Sequence, residues 1–328
     1  MKMIDGLRRT FLARVLSIAA LCVLALGAQP ALAQQPLSIV ATTGMIADAA
    51  RQVGGDEVEV KALMGPGVDP HAYRQTRTDI LAMTKADLVL WHGLFLEAQM
   101  EDFMHKLSKG RAVVAVAESL PKDLLLAHDD YQDKFDPHVW MDPDLWSKVV
   151  VTVRDALIEE RPEAREVFMQ NAEAHLKEIA DLAVYARKVT ASVPEASRVL
   201  VTAHDAFKYF GRAYGFEVLG IQGISTQSEA GLNRISELVD ILVDRKIGAV
   251  FVESSVSDRN MRALIEGAAS KGHKVVIGGQ LFSDAMGSEG SYEGTYLGMI
   301  DHNVTTITRA LGGDAPERGR LGRLSAGS

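Results

Sequence analysis

Residues 163–193 read EAREVFMQNAEAHLKEIADLAVYARKVTASV, 31 residues without Gly or Pro between Pro162 and Pro194. Apolar side chains recur at Phe168, Ala172, Leu176, Ile179, Ala183 and Ala186, in steps of four and three, the period of one helix face. A proline ahead of the first turn, with Glu163 and Glu166 inside it, suits a helix start; Arg187 and Lys188 suit the other end. At 1.5 Å per residue the helix would run about 45 Å, roughly the width of a domain. The stretch predicts a strut between two lobes.

On its N-terminal side, strands are predicted at Leu37–Thr42, Val58–Met64, Asp87–Trp91 and Ala112–Ala117. Helical stretches at 45–53, 77–84 and 97–107 separate them. A loop over Glu118–Asp136 and a helix over Leu145–Glu159 lead into the strut. Beyond it come strands at 198–203, 217–221, 249–253 and 274–277, with helices near 206–213, 232–244, 260–270 and 296–311. Strands alternating with helices imply α/β lobes with parallel sheets. The expected divisions are an N-terminal lobe over 34–160, a linking helix over 161–194, a C-terminal lobe over 195–313 and a frayed tail over 314–328. The tail has no apolar period.

Residues 1–33 read as a cleaved secretory signal: Lys2, Arg8, Arg9 and Arg14 precede an apolar run from Val15 to Ala28, and Ala31-Leu32-Ala33 offers a cleavage site. The only cysteine, Cys22, follows Leu21, where a lipid-attachment site needs a small residue. The expectation is therefore a free chain without a lipid anchor or disulfide. Removing the leader takes away four basic residues and one acidic, leaving 31 against 42 and a net charge of −11. That balance argues against nucleic acid and anionic membranes and is compatible with cations.

In open parallel sheets, ligands bind beyond the carboxyl ends of the strands. There the sequence places Asp69-Pro70-His71 after the second strand and Asp136-Pro137-His138 after the fourth. His204-Asp205 closes the fifth strand, and Asp284 follows the eighth. Three imidazoles and one carboxylate, two groups from each lobe, suit zinc or a related dication. Four protein ligands leave no open position, so such a site binds rather than catalyses. A lone loop histidine is ordinarily a solvated turn residue, and Asp284 alone would be an ordinary helix cap. The repeated Asp-Pro-His tripeptide changes the weighing, because proline stiffens its own and the preceding residue. His92 and Glu253 also end strands and fit either support behind the ligands or a capping role. His105, His128, His175, His273 and His302 carry no such pattern. Phosphate-loop, His-Glu-x-x-His, Gly-x-Ser-x-Gly and dinucleotide-glycine motifs are absent from the sequence.

These residues resemble the metal-binding solute-binding proteins of ABC transporters, the TroA-like group. The resemblance rests on Gly65–His71, Asp136–Pro143, Thr202–Phe210, Phe251–Ser255 and Leu281–Gly287, and covers nearly all of the chain after the leader. It implies two (β/α)4 lobes joined by one long backbone helix, with a metal in the cleft held by His71, His138, His204 and Asp284. It further implies a periplasmic monomer that carries Zn2+ or Mn2+ to a membrane permease. Zinc-dedicated members carry a His-rich loop and a C-terminal disulfide, where this chain has only His128 and no second cysteine. Many manganese members carry Glu where this chain has His204. The set resembles the mixed zinc/manganese type. The alternative is a secreted metallohydrolase, with three histidines on the metal and Asp284 as general base; a surface adhesin would need an anchor.

Overall fold

The computed structural model describes residues 35–128, 131–228 and 231–325; the leader expected over 1–33 lies outside them. Strand β1 (Leu37–Ala41) is buried along nearly all its length, as suits a strand covered on both faces. It pairs in parallel with β2 (Val58–Ala62) and β3 (Leu88–Trp91), and β4 (Ala112–Ala115) completes the order β2-β1-β3-β4. Helices α1 (Gly44–Gly54), α2 (Arg77–Lys85) and α3 (Glu101–Leu107) make the crossovers. In α2, Thr76 and Asp79 hold each other's backbone N–H groups, which fixes the start of the helix.

Asp142 caps α4 (Pro143–Glu160), with Pro143 in the first turn, where a missing N–H costs nothing. One tight turn at Pro162–Ala164 leads into the strut, α5, which runs over Arg165–Thr190. Its 26 residues span about 39 Å. It is shorter than its spacing predicted because Ser192 and Val193 turn back to donate to the Val189 and Thr190 carbonyls.

The second half repeats the alternation with β5 (Val199–Thr202), α6 (Lys208–Tyr214), β6 (Glu217–Gly220), α7 (Leu232–Asp244), β7 (Ala249–Glu253), α8 (Arg259–Ser270), β8 (Val276–Leu281) and α9 (Tyr296–Ala310). Strand β5 pairs with β6 and β7 with β8, all in parallel, and the two pairs meet where β5 lies beside β7. The fold is α/β, two strand–helix halves with parallel sheets joined by one long helix. Among the described residues no helix is long and apolar enough to cross a membrane.

One apolar cluster joins the halves. It includes Ile39, Ile46, Trp140, Trp146, Phe168, Phe210 and Tyr296. Trp146 of α4 stacks on Tyr296 of α9 with ring centroids 5.2 Å apart. The Tyr296 hydroxyl donates to the Trp140 carbonyl at 2.9 Å, and its backbone N–H donates to Asp48 of α1 at 2.8 Å.

Three segments differ from the sequence reading. Helix α3 starts at Glu101 rather than near 97, because the buried Glu97 carboxylate takes the N–H groups of His92 and Gly93 and the Thr42 hydroxyl. Gly93, Leu94 and Phe95 adopt positive φ there, which a helix does not permit. Strand β8 extends to Leu281 through Gly278 and Gly279, although the glycine pair had marked a strand end. A Cβ on Gly278 would lie 2.9 Å from Phe251 and Ala310, and one on Gly279 would lie 2.4 Å from Thr306; the glycines let strand and helix approach. The tail, expected to fray, is packed over 314–325: Ala315 and Leu324 are buried. Polar anchors, which leave no apolar period, hold it.

Candidate metal centre

Both Asp-Pro-His tripeptides form the same local structure. Asp69 accepts the backbone N–H of His71 at 2.9 Å, and Asp136 accepts that of His138 at 2.9 Å, an aspartate closing on the N–H two residues ahead. The proline between them restricts the backbone. Each turn therefore presents its imidazole in a set direction. Asp136 does more than close the turn, since it also takes the Nδ1 of His138 at 2.6 Å. Behind it, His92 Nε2 meets the Pro137 carbonyl at 2.7 Å.

The other two groups come from the C-terminal half. His204 follows β5, and Glu253 ends the neighbouring β7, so the Glu253 carboxylate reaches both the His204 backbone N–H (2.9 Å) and its Nδ1 (2.5 Å). Asp284 follows β8. Asn303 of α9 grips both the N–H and the carbonyl of Phe282, and the Trp140 indole donates to the Ser283 carbonyl at 2.8 Å.

The four side chains converge. His71 Nε2 lies 3.3 Å from His138 Nε2, His138 Nε2 lies 3.3 Å from Asp284 Oδ1, and His204 Nε2 lies 3.2 Å from Asp284 Oδ2. All four ligand atoms fall within 4.8 Å of one another. A tetrahedral shell with ~2.1 Å bonds has edges of roughly 3.4 Å, close to the His71–His138 separation, and Asp284 spans the other two histidines with one oxygen toward each. His204 Nε2 and Asp284 Oδ1 are buried without a hydrogen-bond partner. They sit at ion-pair distance from neighbours yet miss hydrogen-bond geometry, as lone pairs aimed at a common centre do. Exposure is 4% for His71, 2% for Asp284 and 0% for His138 and His204, so the centre is closed. Nδ1–H donation to Asp136 and Glu253 leaves the Nε2 lone pairs of His138 and His204 for a metal.

The electrostatics are those of a cation site. Burial opposes charge on His138, but Asp136 and Asp284 outweigh it and raise its pKa to about 9. On His204, burial is likewise overcome by Asp284 and Glu253, and the pKa rises well above its ordinary value. Burial alone would raise Asp284, yet His204 and His138 hold it well below the usual carboxylate range. At His71, burial and the neighbouring histidines outweigh the attraction of Asp284 and lower its pKa to about 3. Protons and a dication compete for the same Nε2 lone pairs.

All four residues predicted from strand ends are brought together. Glu253, left between support and capping, supports His204; His92 backs the second tripeptide. The structure adds Asp136 as the partner of a ring nitrogen, a role whose signal in the sequence is the carboxylate two residues before the histidine. His105, His128, His175, His273 and His302 lie outside the cluster.

A family model described as "Zinc-uptake complex component A periplasmic" matches residues 39–310. The manganese-binding lipoprotein MntA of Bacillus subtilis (strain 168) is 49% identical over 279 residues, covering 85% of this chain and 91% of the relative. The zinc-binding protein TroA of Treponema pallidum (strain Nichols) is 46% identical over 287 residues, covering 88% and 92%. The solved structure of the periplasmic zinc-binding protein TroA from Treponema pallidum superposes with a TM-score of 0.82 at 46% identity, covering 84% of this chain and 99% of that one. These findings correct one expectation. The chain was expected to be free of a lipid anchor because Leu21 precedes Cys22, but the Bacillus subtilis relative is a lipoprotein. The size of one residue beside one cysteine does not decide anchoring, and both residues lie outside the described ones.

Proposed function

Since the chain belongs to the family of zinc-uptake complex component A, whose members are metal-binding solute-binding proteins of ABC transporters, we propose that His71, His138, His204 and Asp284 hold its cargo. That cargo is Zn2+ or Mn2+, captured outside the cytoplasm and passed to an ABC permease. The observation that carries this reading is the convergence of four buried ligand atoms, two of them without hydrogen-bond partners. The naming of a manganese-binding and a zinc-binding protein among its relatives supports both metals. The proposed lobes are 34–160 and 195–313 about the helix 161–194, in a monomer with no nucleic-acid partner.

The chain is proposed to be a carrier and not an enzyme. A metallohydrolase needs a coordination position open to water and substrate, whereas all four proposed ligands are nearly inaccessible. The test is metal analysis of protein purified from its native compartment without added metal. One equivalent of zinc or manganese, lost in a His138→Ala variant, supports the reading; no bound transition metal contradicts it.

A further inference from the structure

The matched family region ends at residue 310, but the ordered chain does not. Residues 314–325 run back over α9 toward the loop that follows Asp284. Ser192 at the end of α5 receives the Asp314 N–H at 2.7 Å, and Arg309 reaches the Ala315 carbonyl at 3.1 Å. The Arg320 N–H then donates to both oxygens of the buried Asp301 carboxylate, at 2.9 and 3.0 Å. Gly319 makes that approach feasible, with φ at +70° and room for a Cβ only 2.6 Å from Asp301. The Ser325 N–H finally donates to Glu293 at 2.6 Å.

Glu293 matters because its carbonyl accepts the Gly287 N–H at 2.8 Å, three residues beyond Asp284. Ahead of Asp284 the chain is fixed from within the matched region by Asn303 and Trp140. Beyond it, Ala285, Met286 and Gly287 border a cleft of about 470 Å³ shared with Met64, Pro66 and Val68, so packing on that side is incomplete. What holds this part of the loop from behind is Glu293, and what holds the Glu293 side chain is the tail. Tyr292 adds a second tie, since its hydroxyl donates to Asp301 at 3.1 Å while Arg323 lies 4.5 Å over its ring.

We infer that segment 314–325 is a strap, and Glu293 a positioning residue, that together hold the Asp284 loop and so set how long metal stays bound. The inference rests on the carrier reading for its effect on metal, but its structural part stands alone. Two variants of the whole protein test it: a chain ending after Gly313, and Ser325→Pro, which removes both the N–H and the hydroxyl through which Ser325 holds Glu293. The readouts are hydrogen exchange over residues 285–294 and the rate at which a chelator strips zinc from the loaded protein. In Ser325→Pro, exchange over 285–294 should quicken while 68–71 and 202–205 stay as they were. Zinc loss should accelerate by about tenfold, the weight of one to two hydrogen bonds, and more in the truncated chain. Unchanged exchange over 285–294 in Ser325→Pro overturns the strap, as does a loosening spread evenly over all ligand loops. Exchange needs no metal, so a full chain that took up neither zinc nor manganese would strike the carrier reading while leaving the strap to be judged on exchange.

Discussion

Glu253 accepts both the backbone N–H and the ring Nδ1–H of His204, at 2.9 and 2.5 Å. One carboxylate at the end of β7 therefore fixes the position, tilt and tautomer of a ligand at the end of β5. Replacing it by Gln keeps the shape but removes the charge that makes Nε2 a strong donor. Glu253→Gln should weaken zinc binding by roughly ten- to a hundredfold while the far-ultraviolet circular dichroism is unchanged. Competition against a chelator of known affinity measures this; wild-type affinity would show that Glu253 only caps the strand.

Proton competition gives the second prediction. The raised pKa values of His138, about 9, and of His204 mean that metal must displace protons throughout the neutral range. Binding therefore tightens as pH rises, by about tenfold per pH unit for each proton displaced. The metal-free protein behaves oppositely. Protonated His138 contributes stability that is fully present below its ordinary value near 6.5 and is lost as pH rises through about 9. Calorimetry of zinc binding in buffers of different ionisation enthalpy should show proton release at pH 7, and an enthalpy independent of buffer would contradict it.

The third concerns the single carboxylate. Asp284 is the only oxygen ligand among the proposed four, and Mn2+ prefers oxygen more strongly than Zn2+ does. Asp284→Ala should lower affinity for both metals and lower manganese affinity more. Equal losses, measured by parallel titrations, would count against direct ligation by Asp284.

The fourth concerns motion. The strut is a continuous helix without Pro or Gly, which resists sharp bending, and the Trp146–Tyr296 stack ties α4 to α9 across the halves. Metal uptake and release should then involve local movement around Asp284 rather than wide opening. With Gly279 and Gln280 paired to β7 inside β8, and Gly278 at the bulge just before them, that movement belongs to the residues after Leu281. Scattering profiles of metal-free and zinc-loaded protein should nearly overlap; a large contraction on loading would contradict this.

What was legible in the sequence had a short-range physical signature. The strut shows in its period and lack of breakers, and the two histidine turns in a repeated tripeptide whose local geometry depends on three consecutive residues. His204 and Asp284 were found through a rule about strand ends, which needs only the strands to be approximately right. What was not legible depends on distant partners. Gly278 and Gly279 looked like a strand end because Phe251 and Thr306, which need the space, are far away in sequence. The tail looked frayed because Asp301 and Glu293 hold it through backbone N–H groups that any residue but proline supplies. Glu253 looked as much like a cap as a support until β5 and β7 were seen side by side.

The central claim is that three imidazoles and one carboxylate, one from each of four loops, enclose the metal. X-ray absorption spectroscopy on the zinc-loaded protein tests it most directly. The spectrum should show a four-coordinate shell at about 2.0–2.1 Å with the multiple scattering of three imidazoles, reduced to two in His71→Ala. A shell with one imidazole or none, or a spectrum unaltered by His71→Ala, would contradict it.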